Sequence, residues 1–178
     1  MNSSLAPYFK TLTATKQNRL NALDKVLSHP ETIPDLMQLA FDSKADRENI
    51  YAAWVWELYI LDDLNRLTPH IVQLLESLGK ITHSSMRRSH SKILWYYSKN
   101  KFFRKTLSKS QKQKMIQLLL DWIITENKTA PLSFSIKTLD VFQSEFPIIR
   151  SHLEDILIHS KRTFPKGVHS SIRFLFGS

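Results

Sequence analysis

Apolar residues recur three and four positions apart through most of this 178-residue chain, the spacing that lays one apolar stripe along an α-helix. Leu20, Leu23, Val26 and Leu27 mark a helix expected over 16–28, and Ile71, Leu74, Leu75 and Leu78 one over 69–78. Met115, Leu118, Leu119 and Trp122 do the same for 109–125, and Leu153, Ile156 and Leu157 for 148–160. With further segments at 33–42, 47–63, 85–99, 132–145 and 168–176, the pattern predicts about nine helices. A sheet would lack its turns, because none of the three glycines follows Asn or Asp between alternating apolar runs. Helix starts are marked instead. Thr68-Pro69 reads as an N-cap followed by proline at the first helical position, Pro34, Pro131 and Pro147 sit similarly, and Ser108 with Gln111 has the spacing of a capping box.

Placing alternate helices in register aligns Leu36, Ile71, Met115 and Leu153, at separations of 35, 44 and 38 residues, the period of two-helix repeats. A polar loop and a small residue follow each. A plain antiparallel bundle satisfies the same alternation. The expected fold is all-α, with about four antiparallel helix pairs and a short C-terminal helix. It is a single unit over 1–178, in which residues 1–15 are a mobile lead-in. Through this period, over about residues 30–176, the chain resembles the HEAT-like α-solenoids. Ala52-Ala53-Trp54-Val55-Trp56-Glu57-Leu58, the basic run from Thr82 to Lys92 and the closing helix at Arg150 resemble a set of short bacterial HEAT-like chains that often carry the label adenylosuccinate lyase.

Charge changes this picture, because it is unevenly spread. Residues 1–78 hold seven basic and ten acidic side chains, whereas residues 79–178 hold eighteen and six. From Gly79 to Lys114 there are eleven Lys and Arg and no Asp or Glu, interleaved with Trp95, Tyr96, Tyr97, Phe102 and Phe103. Such a field attracts polyanions. Nucleic acid is the leading partner, with Arg87, Arg88, Lys92, Lys99, Lys101, Arg104 and Lys105 as phosphate contacts and Tyr97 or Phe102 as stacking groups. An acidic protein in the groove of a solenoid is the second choice, and an anionic membrane beside Phe102-Phe103 the third. A solvated helix face is the bland reading of the same charges.

Catalytic chemistry finds little purchase. The serine loop that lyases of the labelled kind resemble one another in has the form Ser-Ser-x-Met-Pro-x-Lys-x-Asn. Ser84-Ser85-Met86-Arg87-Arg88-Ser89-His90 lacks its spacer, proline, lysine and asparagine. No nucleophile elbow, His-Glu-x-x-His or phosphate-cradling glycine loop occurs. His83 and His90, and His152 and His159, stand seven apart, roughly 10 Å along a helix, too far to share one zinc ion. Asp62-Asp63 and Glu154-Asp155 are adjacent, so neither pair converges; Asp62-Asp63 is expected to end the third helix, and Glu57 and its neighbours to lie beside Arg87, Arg88 and Lys92. In architecture and charge the chain also resembles HEAT-like DNA glycosylases that act on alkylated bases, though no catalytic Asp motif matches. No cofactor, metal or small-molecule substrate is indicated. The chain has no cysteine, no apolar leader after MNSSLAPYFK and no 18-residue apolar run, which together predict a cytoplasmic location. The expectation is a non-enzymatic helical-repeat scaffold with a basic face.

Overall fold

The computed structural model describes residues 5–177. Among them are eleven α-helices and no strand: α1 Ala6–Thr11, α2 Lys16–Ser28, α3 Ile33–Ala40, α4 Arg47–Asp62, α5 Ile71–Ser77, α6 Ser84–Lys99, α7 Lys101–Thr106, α8 Lys109–Thr125, α9 Thr129–Phe142, α10 Ile148–Glu154 and α11 His169–Phe176. The chain divides into two compact units, Met1–Ile93 and Leu94–Ser178, with the division falling inside α6.

In the N-terminal unit α4 is the central helix, packed by α1, α2 and α3. Its Ala52, Ala53, Val55, Trp56 and Ile60 are fully buried, which explains why the sequence there is apolar nearly all round. Within the lead-in expected to be mobile over 1–15, α1 packs against α4, and Leu5 and Leu12 beside it are buried. Phe9 of α1 is fully buried, and Arg47 donates to the Leu12 carbonyl at 2.6 Å; residues 1–4 lie outside the described residues. The helix expected at 69–78 begins earlier and differently. Asp63 accepts from the Asn65 N–H at 3.0 Å and so caps a tighter 3-10 stretch, Leu64–His70, that contains Pro69 and leads into α5. Asp62 and Asp63 do close α4, and Asp62 pairs with Arg66 at 2.8 Å.

In the C-terminal unit α9 is central, packed by α8, α10, α11 and the 3-10 turn Lys166–Val168. The capping box at α8 is present, with the Ser108 hydroxyl accepting from the Gln111 N–H and the Gln111 side chain accepting from the Ser108 N–H. The four residues aligned by register, Leu36, Ile71, Met115 and Leu153, are all buried. The helix expected over 148–160 is α10 followed by a π-helical turn, Asp155–His159.

The other end of α8 is closed from a distance. The Arg162 guanidinium donates to the Ile123, Ile124 and Glu126 carbonyls and to Asn127 Oδ1, and packs over Phe164 at 4.9 Å. The last carbonyls of a helix lack intrahelical partners and carry its negative dipole end, so one planar cation satisfies both needs. Arg162→Ala is expected to cost about 2 kcal/mol, the scale of hydrogen bonds to a charged group. Arg162→Lys should recover only part of it, because an ammonium cannot fork across several carbonyls. Urea midpoints check this; equal midpoints for all three proteins would refute the clamp.

Candidate functional site

The cations expected to hold phosphates fall into groups with different surroundings. Arg87 is buried and its Nε donates to the Ile81 carbonyl at 2.8 Å. Arg88 and Lys92, one turn apart on α6, both reach Glu57 of α4, each at 2.8 Å. The Glu57 carboxylate is buried, so its charge stands directly against theirs. Lys99 lies over the Trp95 and Tyr96 rings, 4.5 and 4.6 Å from their centroids. Arg104 donates to the Ser98 carbonyl and lies 4.0 Å from Glu145, which pairs more closely with Lys112 at 2.6 Å. Lys101 and Lys105 are exposed and make no ion pair among the described residues. They stand four apart on α7, hence on one face of it.

The two expected stacking residues part company. Tyr97 is fully buried, its ring stacked on Phe103 at 5.0 Å and its hydroxyl 3.1 Å from Thr106, so it offers no face to a ligand. Its place in the apolar stripe of α6 put it there. Phe102 is 67% exposed, between Lys101 and Arg104 in sequence. What remains open from the expected site is therefore Lys99, Lys101, Lys105 and Phe102, all in the C-terminal unit. That unit holds fourteen Lys and Arg against six Asp and Glu, a net of plus eight, while the N-terminal unit holds eleven against ten.

A cleft in the same unit has no counterpart in the sequence reading. It is half open and holds about 550 Å³ against α9 and α11. Its apolar walls include Trp95, Ile136, Val141 and Phe174. Its polar groups are Lys137 and Asp140 of α9 and the hydroxyls of Ser133, Ser170 and Ser171. Gly167 lines it too, and a β-carbon there would come within 2.5 Å of Thr129 Cγ2, so glycine lets this turn approach the start of α9. Lys137 Nζ lies 5.0 Å from the Trp95 centroid, and Lys99 shares that ring. Burial pushes the Asp140 carboxyl above the usual carboxylate range, and the Arg150 charge opposes the shift in part. Gln143 donates to Asp140 Oδ1 at 2.9 Å. No local motif announces such a cleft, since its residues come from three stretches of chain and each reads singly as an ordinary helix position.

No family model, curated protein or solved structure matches the chain.

Two of the histidines, His83 and His90, have structural surroundings. His83 sits at the start of α6 and its Nδ1 accepts from the Ser85 N–H at 3.3 Å. His90 is buried beside Phe41 and bonds the Ala40 carbonyl at 2.9 Å. Among the described residues no group of three or more His, Asp and Glu is placed to hold a metal ion, and no helix is long and apolar enough to cross a membrane.

Proposed function

We propose that this protein is a non-enzymatic binding scaffold of HEAT-like helix pairs, and that its C-terminal unit binds a polyanion, nucleic acid first, through Lys99, Lys101, Lys105 and Phe102. The observation that carries the reading is an exposed aromatic ring on a short helix whose Lys101 and Lys105 have no acidic partner among the described residues. Unpaired cations on one face gain most from a chain of phosphates, and an open ring can stack on a base whatever its identity. The net charge of plus eight in this unit supports the same partner. Helix-pair packing of α3 with α4 and of α8 with α9 supports the repeat reading, together with the burial of all four register residues.

Anisotropy of a labelled single strand tests the reading. With about three phosphates neutralised, raising salt from about 50 to about 200 mM is expected to weaken binding roughly twentyfold. The double variant Lys101→Glu with Lys105→Glu should abolish it. Absence of binding at the lower salt would sink the nucleic-acid reading. Flotation with anionic vesicles in that case would move the face to a membrane, and nuclease-insensitive capture of an acidic protein would move it to a protein partner.

A further inference from the structure

We propose that the cleft against α9 and α11 is a seat for one nucleobase of the bound strand; this rests on the polyanion reading and specifies it. Phe174, on the cleft wall, is 78% exposed. A large ring left that open beside a half-open cleft has a face on which a flat heterocycle can lie, and base stacking on aromatic side chains is tolerant of base identity. The volume of about 550 Å³ lies within the range of small-molecule sites.

The polar groups match a base rather than a purely apolar ligand. Asp140 uses one carboxylate oxygen for Gln143, and an ionised carboxylate has about four acceptor positions, so ring N–H and amino donors of a base edge can still be accepted. The Ser133 hydroxyl can donate or accept beside it, and the Ser170 hydroxyl, which donates to the Gly167 carbonyl at 3.2 Å, can still accept. At the same wall, Lys137 and Lys99 are held over the Trp95 ring. That arrangement fixes two cations next to the cleft, where the phosphates flanking an inserted base would run. Lys99 is at once one of the open cations of the proposed strand site and a neighbour of the cleft wall, which ties the two features together without any new element.

The test compares a short single strand with an abasic strand of equal length and charge, by anisotropy, on the intact chain. The wild-type protein is expected to prefer the base-bearing strand by about tenfold, the scale of stacking lost when one aromatic is removed. Phe174→Ala should erase most of that preference while leaving abasic binding unchanged, and Asp140→Ala should lower it. Phe102→Ala reports stacking outside the cleft and should leave the Phe174-dependent part in place. If Phe174→Ala keeps the full preference, the seat is refuted and the polyanion reading stands. If neither strand binds the wild-type protein, the polyanion reading falls and the seat falls with it.

Discussion

Removing Arg88 and Lys92 together, as Arg88→Ala with Lys92→Ala, is expected to destabilise the protein by about 3 kcal/mol at neutral pH, the lower end of what an unpaired buried charge costs. Glu57 has a side chain only 5% exposed, and its two oxygens face the two cations separately, Oε2 to Arg88 and Oε1 to Lys92. Deleting both cations leaves a desolvated carboxylate with nothing to replace its lost hydration. The reverse deletion is milder. In Glu57→Gln the cations, each about a quarter to a third exposed, regain water, and a cost of about 1 kcal/mol is expected. Replacing all three by apolar residues of similar length should be nearly neutral, because the desolvation cost leaves with the charges. Urea denaturation at constant m-value orders the variants. If Glu57→Gln costs as much as the double cation deletion, the asymmetry argued from burial is wrong.

That triad also changes what the acid-free segment means. Counted along the chain, residues 79–114 have no acid; counted in space, Glu57 and Glu145 supply it, holding Arg88, Lys92, Lys112 and more loosely Arg104. Sequence counting cannot see this, because the compensating carboxylates lie 31 and 33 residues from their nearest partners. The expectation that Glu57 would border the arginines of α6 came from helix order, and the ion pairs fit it. Which cations stay free depended on rotamers and burial, which no spacing rule carries.

Helices were legible wherever an apolar stripe ran for three turns. The expected 16–28 and 109–125 coincide with α2 and α8, and 85–99 differs from α6 by one residue. α1 and α7 were missed for one reason: each is six residues long, less than two turns, and a period cannot be read from so few positions. Their signals were caps. Asn100 accepts from the Phe102 N–H at 3.0 Å, and Pro7 stands in the first turn of α1. The cleft was not legible at all. It depends on Trp95 and Phe174, almost eighty positions apart in sequence, being brought to one volume against α9, and aromatic residues at helical spacing read first as core.

Acidification is expected to destabilise the protein through His90, and more than its surface carboxylates alone would. The ring is buried, and burial lowers its pKa from 6.5 to about 4, the bond to Ala40 opposing the shift only in part. Nε2 lies 2.9 Å from the Ala40 carbonyl, so it carries the hydrogen and donates, leaving Nδ1 as the bare nitrogen. Nδ1 is buried with no hydrogen-bond partner. A proton there would create a charge with no acceptor beside it, between Phe41 and the end of α3. The unfolded chain titrates near 6.5 and the folded one near 4, so the unfolded state binds more protons throughout that interval. Stability is then flat above the upper value and falls as pH drops from 6.5 towards 4, by about 3 kcal/mol over the whole window. His70, against Trp56 and also lowered by burial, adds in the same direction. The variant His90→Gln keeps a donor for Ala40 but does not titrate, and its urea midpoint should fall much less than that of the wild-type protein across the same interval. Parallel loss in the two proteins would show that His90 does not carry the acid sensitivity, and that the carboxylates shared by both do.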